Sequence, residues 1–492
     1  MQFPRLRFVL SSAALLAATA TVSTGLATPG TAAQSGRPVL AVQSNSDSVT
    51  LRQTGSGRVF LRLRTYVVAG DLPFEVWAGR TSYSRPIEAS QRPRNRHIDL
   101  EELDLKNFQG LPAFFRTVVR KEDGDVAVNR VRPFCPNNWD PTRRRVDAPH
   151  ASPYPNSCPW WRLTLGTVFG VQAGWSVPTG DAGVARLAPG RYSATVRITR
   201  RYRQMFDIPE AAATRSVELT VVDQQATCAD CASTAETRRV DARAEEPLQP
   251  RASRPADSSR PPAGGAYLPD LRSLPAFDIG VHSRPRTKRD FLAFGANVWN
   301  AGMTHLVVDG FRREGEELMD AYQYFYDRDG ELTGHARTGT FEWDQRDGHH
   351  HWHFTDFARY RLLDATKTSV VRSHKQSFCL VNTDAIDYTV PGALWQPEKT
   401  DLHSDCPSNR NATSFREALA SGSGDTYYQG RAGQSFNITS LPNGTYYVEV
   451  AANPARRLYE SDDANNVSYR RVILGGEPGA RTVRVPPIVF YR

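Results

Sequence analysis

From residue 349 to residue 354 the chain alternates: His349, His351 and His353 are separated by His350 and Trp352, and Phe354 follows. In an extended strand, successive side chains point to opposite faces. The pattern therefore places three imidazoles on one face and directs His350, Trp352 and Phe354 toward an apolar core. Imidazoles in such a row suit a borderline metal such as copper or zinc, and the spacing does not choose between the two. A regular strand would set the outer two histidines about 13 Å apart. That is too far for one ion, so the strand must bend or bulge if all three bind. The mid-chain position among aromatics argues against a cloning tag or a solvated histidine run.

The rest of the chain reads as all-β. Val59–Leu63, Ser193–Ile198 and Ser216–Val221 cluster or alternate apolar residues at strand length. Residues 38–223 are expected to form an immunoglobulin-like β-sandwich; Trp139, Trp160, Trp161 and Trp175 could form a binding surface, with core packing the expectation. Residues 224–265 are rich in Ala, Arg, Glu, Pro and Ser and read as a flexible linker. Strand signals resume at Phe291–Trp299, His305–Val308, Phe354–Leu363 and Tyr446–Val450. Helical periodicity is weak, so residues 266–478 are expected to be a second β-sandwich, with 479–492 a short tail. The fold class is thus all-β, two sandwich domains joined by a flexible linker, with the chemistry in the C-terminal one.

Residues 1–33 have the form of a secretory signal. Arg5 and Arg7 precede the apolar run Phe8–Leu26, and Thr31-Ala32-Ala33 offers a small-residue cleavage site. No other stretch is long and apolar enough to span a bilayer, so a secreted, extracellular protein is expected. Six cysteines fit an oxidising compartment. Neighbour pairing gives 135–158, 228–231 and 379–406, one of about fifteen connectivities. Net charge is +9, or +7 after loss of Arg5 and Arg7. This favours anionic surfaces such as a cell envelope. The arginines are dispersed and no nucleic-acid motif is present. The Ala/Arg/Gly-rich composition points to a high-GC bacterial source, where the sequons at Asn411, Asn437, Asn443 and Asn466 would be silent.

Four segments together resemble one family. Asp347-Gly348-His349-His350-His351-Trp352-His353-Phe354-Thr355-Asp356-Phe357 is similar to the copper motif of the lysyl oxidase family. His374-Lys375-Gln376-Ser377-Phe378-Cys379-Leu380 resembles the segment with its cofactor lysine, and Gly424-Asp425-Thr426-Tyr427 the segment with its cofactor tyrosine. Asn453-Pro454 and Glu460-Ser461-Asp462-Asp463-Ala464-Asn465-Asn466 resemble its C-terminal end. All four occur in the family's order, and the resemblance leaves residues 38–223 uncovered.

The resemblance implies a copper amine oxidase of the protein-lysine 6-oxidase type, deaminating primary amines, peptidyl lysine foremost, to aldehydes while dioxygen becomes hydrogen peroxide. His349, His351 and His353 would be the copper ligands, and Lys375 and Tyr427 the precursors of a lysyl tyrosylquinone. Asp425, two residues before Tyr427, is the candidate base, with a turn-forming aspartate as the alternative. The resemblance also implies calcium, held by Asp270, the Leu271 carbonyl, Glu460, Asp462, Asn465 and Asn466, all but Leu271 offering hard side-chain oxygens. Gly348 replaces the family's cysteine, Arg359 its histidine, and Tyr428-Gln429 its usual continuation after the tyrosine. The rival reading is a non-catalytic exported metal-binding β-sandwich protein.

Overall fold

Among the described residues strands dominate and helices are limited to short turns, so the all-β expectation holds. The computed structural model describes residues 37–92, 98–99, 103–223, 253–256, 267–284, 286–327, 329–345, 350–372, 377–403, 406, 408–428 and 435–490. The signal segment 1–33, Cys228 and Cys231, most of the stretch 224–265, His349 and Lys375 lie outside the described residues.

In the N-terminal half, a five-stranded sheet runs in the order Ser48–Arg52, Thr214–Val222, Gly190–Ile198, Leu111–Lys121, Val126–Phe134. The alternation in Thr214–Val222 works as a two-residue period should: Val217, Leu219 and Val221 are buried. Smaller sheets close the same core, in which Leu40, Val67, Phe74 and Phe115 are fully enclosed. The tryptophans depart from expectation. Trp139 and Trp160 are 71% and 70% exposed, and Trp161 and Trp175 are half-buried. Trp139 lies inside the loop closed by the Cys135–Cys158 disulfide, and Trp160 and Trp161 follow that disulfide directly. Only the two-residue strand Thr142–Arg143 forms in the loop, so no sheet face is there to bury them.

In the C-terminal half, three sheets surround one core. The first runs Leu271–Ser273, Arg289–Asn300, Ser423–Tyr427, Asp384–Ala385. The second runs Ser377–Phe378, His351–Thr355, Leu332–Asp344, Leu318–Tyr326, Leu306–Arg312, Ser414–Leu419. The third contains Ala358–Leu363 beside Gly444–Ala452. Phe294 from the first, Phe341, Trp352 and Phe354 from the second, and Tyr360 and Val450 from the third meet in that core. Residues 480–484, in the expected tail, form an edge strand on Val467–Glu477. Arg416 and Asp309 face each other in register and make a bidentate buried pair at 2.7 and 2.9 Å. Removing either partner of such a pair would strand a charge, at a cost of about 3–5 kcal/mol.

The halves touch directly and belong to one unit, Arg37–Arg492. Leu163 of the N-terminal half packs with Leu274, Trp299 and Ile386 of the C-terminal half. Leu165 N–H donates to the Ile386 carbonyl at 2.7 Å, and Tyr388 N–H to the Gly166 carbonyl at 3.1 Å. Arg254, within the stretch expected to be a linker, pairs with the buried Asp320. Gly166 is required here: a Cβ at this position would sit 2.1 Å from Asp387 Oδ1 and 2.7 Å from Thr389 Oγ1. Gly166→Val should therefore push the Asp387 and Thr389 side chains out of place and cost about 1–3 kcal/mol, read as a lowered melting temperature. An unchanged melting curve would show that this seam does not hold the halves together.

Candidate functional site

The histidine strand gets its orientation from its neighbour. His351–Thr355 pairs antiparallel with Leu332–Asp344, setting Asp344 opposite His351 and Glu342 opposite His353. Trp352 and Phe354 enter the core as the alternation requires. Trp352 Nε1 donates to the Asn409 carbonyl at 3.1 Å, and its ring meets Trp343 edge-on at 5.6 Å. His350 behaves differently from expectation. It is exposed, and its φ of +32° lies outside the extended region. The backbone therefore departs from a regular strand at His350. The cost is that His350 does not reach the core.

His353 is fully buried and His351 half-buried. Their Nε2 atoms are 2.8 Å apart and their rings meet at 75°, with centroids 4.5 Å apart. His353 Nδ1 lies 3.2 Å from Asp344 Oδ2. With its proton on Nδ1, the side that faces that carboxylate, His353 would present its Nε2 lone pair to His351. A carboxylate behind a histidine is the usual way a protein fixes an imidazole for a metal. The donor set thus fits a borderline metal with two nitrogens from described residues. Among the described residues no group of three or more His, Cys, Asp or Glu side chains is arranged to hold a metal.

The tyrosine lies on Ser423–Tyr427 of the first sheet, and the short strand Ser377–Phe378 links it to the histidine strand. Ser377–Phe378 pairs with the histidine strand through Phe354 and Phe378, and Phe378 meets Tyr427 edge-on at 4.8 Å. Tyr427 Oη donates to the Cys379 carbonyl at 2.5 Å, and Cys379 is tied by its disulfide to Cys406. Asp425 and Tyr427 share a strand and are both buried, whereas Tyr428 is exposed. Asp425 is therefore a mid-strand residue, which overturns the turn-forming alternative. Burial is the main force holding the Tyr427 phenol well above its ordinary value, followed by the charges of Asp425 and Glu417 and the Tyr360 phenol.

Glu417 was not picked out from the sequence. It is fully buried on Ser414–Leu419, on the same face as Phe415 and Leu419, which belong to the core. Its Oε2 accepts from Leu380 N–H at 2.9 Å, while Oε1 is buried with no partner among the described residues. Burial raises its carboxyl well above the usual range, partly offset by the Leu380 bond, and nearby Asp425 raises it further. An acid on the apolar face of an alternating strand was the signal that marked it.

The third cluster joins the two ends of the C-terminal half. Asn465 Nδ2 donates to Asp270 Oδ1 at 2.9 Å and to Asp462 Oδ2 at 3.0 Å. Glu460 accepts from Asn453 and Asn466 side chains at 2.6 and 2.7 Å and from Leu271 N–H at 2.9 Å. Leu271 thus turns its amide toward Glu460. Arg272 pairs with Asp270 at 2.7 Å. Burial lifts the Glu460 carboxyl above its ordinary value, against the pull of these hydrogen bonds. Asn465 Oδ1 and Asn466 Oδ1 are buried without partners among the described residues. Those two oxygens, beside three carboxylates, are the kind of donor a hard cation takes.

Residues 328–480 match a family model described as Lysyl oxidase. Lysyl oxidase homolog 2 of Gallus gallus is 30% identical over 173 residues, which is 35% of this chain and 20% of that protein. The Homo sapiens protein of the same name is 29% identical over 140 residues, or 28% of this chain and 16% of that protein. Protein-lysine 6-oxidase of Sus scrofa is 33% identical over 129 residues, or 26% of this chain and 45% of that protein. The chain thus spans less than half the length of these relatives. The family match takes in the histidine strand, Glu417, Asp425, Tyr427 and the 460–466 cluster, and leaves the N-terminal half outside it.

Two measurements follow from this geometry. A metal held by the imidazole pair predicts that His353→Ala loses copper, that Asp344→Asn binds it about 10–100-fold more weakly, and that exposed His350→Ala keeps it. Equal copper stoichiometry in His353→Ala and the parent, by elemental analysis, would overturn the assignment. For the third cluster, calcium should raise the melting temperature by mass action, and Asp462→Ala should abolish the response. A melting curve indifferent to calcium and to chelator would exclude that ion.

Proposed function

We propose that the chain is an exported, copper-dependent amine oxidase that deaminates primary amines, peptidyl lysine foremost, with dioxygen reduced to hydrogen peroxide. The observation that supports this most is the convergence of the His351 and His353 Nε2 atoms, 2.8 Å apart, linked through Phe378 to a buried tyrosine near two carboxyl groups. The match of residues 328–480 to the Lysyl oxidase family model agrees with it. When bound, copper supplies one-electron chemistry with dioxygen, and a lysyl tyrosylquinone built from Lys375 and Tyr427 supplies the electron sink for the amine.

The chain's own residues have distinct tasks in this reading. His349, His351 and His353 hold the copper, and Asp344 fixes the His353 ring through Nδ1. Phe378 and the Cys379 carbonyl orient the Tyr427 ring. The core around Trp352, Phe354 and Tyr360 excludes water from that ring. Asp425, on the same strand face as Tyr427, accepts the proton removed from the carbon next to the substrate nitrogen. Glu417 holds a proton at Oε1, because Oε2 is already engaged by Leu380 and an ionised carboxylate is disfavoured at that depth. A neutral Glu417 keeps two negative charges from facing each other beside the ring.

Protein folded without copper should be colourless and inactive, and should gain visible absorbance and peroxide production when copper and air are added. Tyr427→Phe should bind copper at the parent stoichiometry and gain neither, since phenylalanine lacks the ring oxygen at which oxidation begins. Exposed Tyr428→Phe should form the chromophore as the parent does. Amine oxidation by Tyr427→Phe at the parent rate would overturn the enzyme reading and leave a non-catalytic metal-binding protein.

A further inference from the structure

Where the N-terminal loop meets the strand of Tyr427, the two halves enclose a cleft with about 200 Å³ of free volume. Five aromatic rings line it: Trp139, Trp160 and Trp161 from the N-terminal half, and Tyr388 and Trp395 from the C-terminal half. Two carboxylates, Asp384 and Glu398, complete its walls, and no lysine or arginine is among its described lining residues. In a chain with 61 basic and 52 acidic residues, that local balance is the reverse of the whole.

The walls are fixed from both sides. Trp395 Nε1 donates to the Tyr388 carbonyl at 2.9 Å, and the Trp395 ring stacks on Tyr154 at 5.9 Å. Asn156 Nδ2 donates to Glu398 Oε1 across the seam. Thr383 Oγ1 donates to Asp384 Oδ2 at 2.8 Å. Each carboxylate retains lone pairs for a further donor. Burial, with smaller contributions from Glu398 and Asp384, pushes the Tyr388 phenol up to about 12, so both charges act on the same cleft. Aromatic faces with carboxylates are the surroundings that attract an organic cation. Ser423 also lines the cleft and lies four residues before Tyr427 on one strand, a separation of about 13 Å, or roughly four residues of an extended peptide.

We propose that this cleft is a cation subsite that takes a lysine or arginine side chain of a polypeptide substrate, about four residues from the lysine that reacts, with the N-terminal half supplying three of its aromatic walls. The inference rests on the amine-oxidase reading only for the identity of the reacting group. Charge complementarity argues for a basic segment as occupant, and the exposure of Trp139 and Trp160 leaves the cleft open to one.

The test is calorimetric binding to the full-length chain carrying Tyr427→Phe, which cannot complete the cofactor. The probes are a glycine/serine peptide with two lysines four residues apart, the same peptide with one lysine acetylated, and spermidine. The two-lysine peptide should bind roughly tenfold more tightly than the acetylated one. Asp384→Asn combined with Glu398→Gln should erase that preference. Trp160→Ala should erase it as well, and truncating so exposed a ring leaves no core cavity if the double variant fails to fold. Equal affinity for the two peptides, or a preference that survives in Trp160→Ala, would overturn the proposal. Spermidine binding as tightly as the two-lysine peptide would overturn the polypeptide assignment. A preference without any amine oxidation by the parent would uphold the subsite and sink the enzyme reading. Amine oxidation without the preference would do the opposite.

Discussion

The pairing of His351–Thr355 with Leu332–Asp344 sets the terms for everything around the site. Antiparallel register puts Asp344 opposite His351 and lets its carboxylate reach His353 Nδ1. The two-residue period then leaves Trp352 and Phe354 no direction but the core. A slip of one residue would bury His351 in the apolar core and turn Trp352 to solvent. The imidazole pair is therefore held by the same burial energy that holds the sheet, with each large aromatic contributing about 2–3 kcal/mol when enclosed. The next strand, Ser377–Phe378, carries this placement to Tyr427 through Phe378 and the Cys379 carbonyl.

Much of this was legible in the sequence, because strand periodicity is a local rule. The alternation at 349–354 predicted which aromatics would be buried. The spacing of the histidines called for a bend only if all three bind one ion; His350 has a positive φ, and His349 lies outside the described residues. The same rule placed Asp425 on one face with Tyr427. Which residue takes the bend was not legible, and His350 turns outward where the pattern pointed it inward. Glu417 obeys the pattern but breaks the usual polarity, since an acid at a core-facing position reads as noise until Leu380, Asp425 and Tyr427 are seen around it. Trp139 and Trp160 misled for a related reason. Their apolar bulk indicates burial only where a sheet face is available, and the disulfide-closed loop provides none.

The association of the two halves was beyond any local rule. It depends on Gly166 lying against Asp387 and Thr389, residues more than two hundred positions apart in sequence. The contact joins an N-terminal region that the family match does not cover to the strand next to Tyr427. It brings the N-terminal half close to the strand that carries Tyr427. The buried acids there act on one another at short range. Burial is the first cause raising both Glu417 and the Tyr427 phenol; the Leu380 bond opposes it at Glu417, and neighbouring acids raise both further.

The central claim of the proposed function is that Lys375 and Tyr427 become joined into one cofactor. Peptide mapping by mass spectrometry of the copper-loaded, aerated protein tests it most directly. The account predicts a covalent species joining the Lys375 peptide to the Tyr427 peptide, absent from protein prepared without copper. Full recovery of both peptides unlinked, from protein that holds copper at the histidine strand, would contradict it.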